Sequence, residues 1–178
     1  LGAIPGLRGL RVLNLTFPCG AIKDEDMRDL ATLRELEGLT IICNVRHVSD
    51  AGMQALGALD SLRRLELNVP EKVTAAGLAN VWKLKNLEVL GLRFHPRSPP
   101  ASVAAALAGL GSLAELQELS LEAQLTDEVL KSVATLKKLR RLDLGAAKGY
   151  TDEGLAPTVR ALPSLKVVVW NCAPQEGN

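Results

Sequence analysis

Few residues in this chain have types and spacing that could do chemistry. His47 and His95, with Cys43 or Cys19, carry the imidazole and thiol donors of a metal site. Their spacing does not favour one: no two cysteines are close, and the histidines fall in loops at different offsets. Ser98 and Ser102 lack the Gly-x-Ser-x-Gly setting of a nucleophile. No Gly-x-Gly-x-x-Gly, phosphate loop, His-Glu-x-x-His or Cys-x-x-Cys is present. The remaining candidates are hydroxyl–acid runs: Thr126-Asp127-Glu128, Thr151-Asp152-Glu153, Ser49-Asp50, and Thr74 alone. As chemistry these would be metal-binding or catalytic carboxylates. Their recurrence at one offset points instead to helix starts, where a hydroxyl accepts from a first-turn amide and acids meet the positive end of the helix dipole. The chain therefore reads as no enzyme, with no cofactor and no metal.

The elements that carry these residues repeat. Leu-x-x-Leu-x-Leu, or a close variant, starts at Leu10, Leu36, Leu62, Leu87, Leu116, Leu139 and Leu165, at intervals of 26, 26, 25, 29, 23 and 26 residues. Three residues before each start stand Leu7, Leu33, Leu59, Leu84, Leu113, Leu136 and Leu162. Apolar residues also stand six before each start and, in all but the last unit, nine before. Spacing by three predicts one helical stripe, and the closing alternation predicts a short strand. One unit buries too little to offset the ordering of its backbone, so the units must stack.

Composition suits stacking. Hydrophobic residues make up 47% of the chain and aromatics only 3%, so the core is aliphatic. The net charge of +1 argues against nucleic acid and against anionic membrane. No apolar run is long enough for a membrane helix. The odd cysteine count reads as free thiols in a reducing compartment, hence cytoplasmic, with a Cys19–Cys43 disulfide between adjacent units left open.

These repeats resemble the leucine-rich repeat family. The length near 26 and the starts SDAGM, TDEVL and TDEGL are similar to the ribonuclease-inhibitor-like kind and, most of all, the cysteine-containing F-box kind. The resemblance departs at the Asn/Cys position after each strand, where only Asn44 matches. It implies an α/β fold: a right-handed solenoid or horseshoe, with parallel strands on the concave face and helices on the convex face. Residues 1–178 would form a single domain of about seven repeats. The first lacks its upstream part, as in a piece of a longer array. Pro157 should shorten or distort the last helix. Val167–Trp170 is apolar on both faces, which fits a capping unit, a truncated array or self-association through the C-terminal edge strand.

In that family the strand residues between the buried ones line the concave face. They form three columns: Val12, Gly38, Arg64, Val89, Glu118, Arg141, Val167; Asn14, Thr40, Glu66, Gly91, Ser120, Asp143, Val169; and Thr16, Ile42, Asn68, Arg93, Glu122, Gly145, Asn171. A preceding column (Arg11, Glu37, Arg63, Glu88, Gln117, Arg140, Lys166) alternates in sign over its first four members and should pair with itself. Glu118–Arg141 and Arg93–Glu122 should pair in the same way. The candidate binding residues are Arg64, Glu66, Asn68, Arg93, Glu118, Glu122, Arg141 and Asp143. Mixed signs with small residues between suit a protein or peptide partner. The expected function is a non-catalytic interaction module, aided by a protruding Phe94–Pro100 loop. The resemblance also implies substrate recognition in a ubiquitin-ligase-like assembly, and regulatory repeats attached to an enzyme domain outside this chain are a further alternative.

Overall fold

The structure is a computed structural model and describes residues 6–16 and 21–170. Seven parallel strands form one sheet in chain order. They are β1 (Val12–Thr16), β2 (Gly38–Ile42), β3 (Arg64–Asn68), β4 (Val89–Arg93), β5 (Glu118–Glu122), β6 (Arg141–Leu144) and β7 (Val167–Trp170). Between successive strands stand α1 (Asp24–Leu30), α2 (Asp50–Leu56), α3 (Ala75–Leu78), α4 (Pro100–Leu107), α5 (Asp127–Val133) and α6 (Asp152–Arg160). Each parallel pair thus has a helical crossover, as parallel pairing requires.

The register is the one expected from the leucines. Val12, Gly38, Arg64, Val89, Glu118, Arg141 and Val167 pair in line, as do Asn14, Thr40, Glu66, Gly91, Ser120, Asp143 and Val169. The third column is partial: Thr16 pairs with Ile42, and Arg93 with Asn68 and Glu122, but Ile42 and Asn68 are not paired, β6 ends before Gly145, and Asn171 lies outside the described residues. On the other face Leu39, Leu65, Leu90, Leu119 and Leu142 form a buried row. Leu13 and Val168 are only half-buried, each flanked by a described strand on one side.

The apolar spacing by three turns out to mark something tighter than an α-helix. The α-helices cover only the first part of each stripe. The rest runs as successive three-residue turns: Leu33 N–H to Leu30 O (3.0 Å), Leu36 to Leu33 (3.1 Å), Leu136 to Val133 (3.0 Å) and Leu139 to Leu136 (2.9 Å). Residues 81–83 and 110–112 form 3₁₀ helices on the same plan. A three-per-turn chain stacks residues three apart on one face, so each of these leucines points to the core.

Pro100 opens α4 as expected. Pro157 does not shorten its helix: α6 has nine residues and is the longest among those described. Pro157 and Glu153 are both exposed, so water can satisfy the Glu153 carbonyl that the proline cannot serve. Cys43 is disulfide-bonded, against the expectation of free thiols, and its partner lies outside the described residues. Cys43 therefore gives no support to a reducing compartment. No helix among the described residues is long and apolar enough to cross a membrane.

The hydroxyl–acid runs build the outer layer. Ser49, Thr74, Thr126 and Thr151 are N-cap residues, and Ser49, Thr74 and Thr151 accept from a first-turn N–H. The acids do more than face their own helix. Asp24 accepts from Ser49 N–H (2.8 Å) and Oγ (2.7 Å), one unit further on. Asp50 does the same for Thr74 (2.8 and 2.6 Å), and Asp127 for Thr151 (2.9 and 2.8 Å).

Candidate functional site

Strand alternation turns one set of side chains into the core and the next onto the open face of the sheet. On that face β3 to β6 enclose a depression of about 140 Å³. Its rim carries Arg64, Glu66, Arg93, Glu118, Arg141 and Asp143, six of the eight expected residues. Its floor is Gly91 and Ser120, the small members of the second column. A Cβ on Gly91 would press on the Glu66 side chain at 3.3 Å, so the floor is low because that residue is glycine.

The other two, Asn68 and Glu122, line a larger groove of about 490 Å³ at the ends of β2 to β5. Arg93 borders both hollows and joins them into one strip. The groove continues over Asn44, Arg46, Glu71, His95 and Pro96. Within the Phe94–Pro100 segment, Phe94 is buried and its N–H donates to Glu122 O at 2.8 Å, while residues 95–97 stand exposed. The loop is therefore anchored at its root. Its backbone turns through Ser98 N–H to His95 O (2.9 Å) and Arg97 N–H to His95 Nδ1 (3.2 Å).

The charges are mostly self-satisfied. Arg64 lies 3.6 Å from Glu66, Arg93 lies 3.5 Å from Glu122, and His95 Nε2 lies 3.4 Å from Glu71. The expected Glu118–Arg141 pair is not made. Arg141 turns along its own strand to Asp143 at 3.1 Å, whose other oxygen accepts from Gly145 N–H at 3.1 Å. Asp143 is half-buried and already fixed by that turn, so it is the better-placed acceptor for Arg141. The Glu118 carboxylate has no ion pair or hydrogen bond among the described residues. In the preceding column Arg11 pairs with Glu37 at 3.5 Å and Arg63 with Glu88. Glu37 and Arg63 do not meet, while Gln117 Nε2 donates to Glu88 Oε2 at 3.4 Å, so the column is one pair and one run of three rather than a continuous ladder.

Reading the columns missed Arg46, Glu71 and His95 as members of the face. They follow the strands, where the two-residue alternation no longer says which way a side chain points. Their common place just beyond the strand ends was the available signal. Among the described residues no three His, Cys, Asp or Glu side chains cluster as a metal site would need.

No family model matches this sequence, and no curated protein does. Among solved structures, a leucine-rich-repeat protein of Leptospira interrogans superposes with a TM-score of 0.58 over 92% of this chain, at 23% identity. This is a leucine-rich-repeat fold. The chain spans 38% of the length of that Leptospira protein. Internalin C2 from Listeria monocytogenes aligns over 96% of this chain and 83% of its own, with 17% identity and a TM-score of 0.45. In leucine-rich-repeat terms, the open sheet face is the concave one and the helices form the convex layer.

Proposed function

We propose that this chain is a non-catalytic protein-interaction module. It recognises a protein or peptide partner across the concave face of β3 to β6 and the adjoining post-strand groove. The observation that carries the reading is the continuous strip joined at Arg93. A low Gly91–Ser120 floor is bordered by arginines and carboxylates of both signs. Arginines held by neighbouring carboxylates are pre-positioned, and Arg is a frequent anchor in interfaces. A face of mixed sign suits a polypeptide better than a polyanion. The Cys43 disulfide favours an oxidising compartment for this activity over the cytoplasm.

The test is affinity capture from the native organism, read by mass spectrometry, with wild type and Arg64→Glu/Arg93→Glu as baits. Both arginines are exposed, so the double variant should keep its thermal midpoint within a few degrees. Its specific prey should be lost. Capture of the same prey by both baits would place the binding surface elsewhere.

A further inference from the structure

The charges that line the two hollows can be paired off. Arg64 with Glu66, Arg93 with Glu122 and Arg141 with Asp143 form ion pairs, and Glu71 has the His95 imidazole at 3.4 Å, which leaves two without any partner among the described residues. The remaining two are Arg46 and Glu118. Each is exposed, and neither has a hydrogen bond from its charged group or an ion pair among the described residues. They stand at opposite ends of the strip. Glu118 begins β5 over the central depression, and Arg46 follows β2 at the far side of the groove.

We infer that the strip binds an extended polypeptide segment of fixed polarity, with a lysine or arginine on Glu118 and an aspartate or glutamate on Arg46. This rests on the concave face being the binding surface and adds the chemistry of the partner. Charge complementarity selects the occupant. The three arginine–carboxylate pairs are already neutralised and offer a partner little further Coulomb energy. The two leftover charges are the ones a partner can neutralise. A partner charge of the wrong sign at either end faces uncompensated repulsion, which is how such residues impose register and exclude other ligands. The span sets the spacing. β2 and β5 are three strand positions apart in the sheet, about 14 Å across at the usual separation of neighbouring strands, and Glu118 stands in register with Gly38 while Arg46 lies beyond Ile42, about 13 Å or more further along the strands. The two offsets combine to about 19 Å or more, and an extended segment rises about 3.3 Å per residue, so the two partner charges should lie about six or more residues apart. A single zwitterionic small molecule is too short to reach both.

The probe is a random dodecamer peptide library displayed on phage, panned against the purified chain. Enriched peptides should share one basic and one acidic residue about six or more positions apart. Panning against Glu118→Arg should exchange the basic preference for an acidic one while keeping the acid for Arg46. Panning against Arg46→Glu should make the reverse exchange. The lead wild-type peptide should bind either variant about tenfold more weakly, with the thermal midpoint of each variant unchanged. The same motif enriched on wild type and both variants, a set without the charge pair, or no enriched set at all would overturn the inference. Failure here alongside loss of prey by Arg64→Glu/Arg93→Glu leaves the face assigned and removes only the polarity. A charge-paired motif that still binds that double variant would instead move the central anchor.

Discussion

Asp50 holds Thr74 with both carboxylate oxygens: Oδ1 takes the backbone N–H at 2.8 Å and Oδ2 the hydroxyl at 2.6 Å. The two residues are 24 apart in sequence and start consecutive helices. The same fork joins Asp24 to Ser49 and Asp127 to Thr151. Each acid thus fixes the helix start of the next repeat, which couples the convex layer as the strands couple the concave one. Room for the carboxylate comes from a glycine three residues after each cap. A Cβ on Gly52, Gly77 or Gly154 would collide with the carboxylate oxygen of Asp24, Asp50 or Asp127.

That collision gives a prediction whose sign reverses with background. Gly77→Ala should cost about 1–3 kcal/mol, because overpacking against Asp50 outweighs the better helix propensity of alanine. In an Asp50→Ala background the obstacle is gone. The same Gly77→Ala change should then be neutral or stabilise by up to about 1 kcal/mol. Urea denaturation of the four proteins measures the coupling. Additive effects would show that the carboxylate is not what keeps the glycine.

The ladder is interrupted where Ala75 and Pro100 replace the acid. Beyond Pro100, Val129 stands where other units have the glycine, and it is buried. Thr126 Oγ1 is left buried without a partner and makes no cap bond. Thr126→Val should therefore be neutral or stabilising by up to about 1 kcal/mol, since only an unsatisfied hydroxyl is removed. Thr151→Val removes a bond to Asp127 and a cap, and should cost about 1–3 kcal/mol. Equal destabilisation by both changes, seen in thermal melts, would contradict the break in the ladder.

Asp24 makes the ladder pH-sensitive. Its burial disfavours the charged form, but the hydrogen bonds from Ser49 and Gly52, with Arg28 nearby, outweigh it and hold the pKa below the ordinary 3.8. A depressed folded pKa means that stability is fully present above about 3.8 and is lost as pH falls through the folded value. Wild type should thus melt above Asp24→Asn at neutral pH. The gap should close as pH falls below about 4 and through the folded value, where the carboxyl becomes protonated in both the folded and unfolded states. A gap that does not change with pH would assign the effect of Asp24 to packing.

The strands, their register and the concave columns were legible because a two-residue alternation and a leucine period are local signals. Contacts between units were not. Asp24, Asp50 and Asp127 look from sequence like dipole partners of their own helices, because the residue each one holds is 24 or 25 positions away. A trace was nevertheless present: SDAG, TAAG and TDEG at 49, 74 and 151 each follow a unit that carries the acid, while TDEV at 126 follows one that has proline. In sequence the three-residue turns are indistinguishable from one continuous helix, because both place every third side chain on one face. At the candidate site, the columns located six of the eight residues around one hollow. Side-chain choices such as Arg141 turning to Asp143 instead of Glu118 depend on rotamers that no pattern encodes.

The register itself can be tested at two adjacent residues of β6. Leu142 is fully buried between Leu119 and Val168, while Arg141 beside it is exposed on the concave face. Leu142→Asp would place an unpaired carboxylate in the aliphatic row and should cost more than about 4 kcal/mol, enough to unfold an array of this size. Arg141→Ser loses one exposed pair with Asp143 and should cost no more than about 1 kcal/mol. A slip of one residue would exchange the two side chains between faces and reverse the order of these costs. Circular dichroism melts of the two variants therefore decide the register. A folded Leu142→Asp protein together with an unfolded Arg141→Ser protein would require every strand face described above to be reassigned.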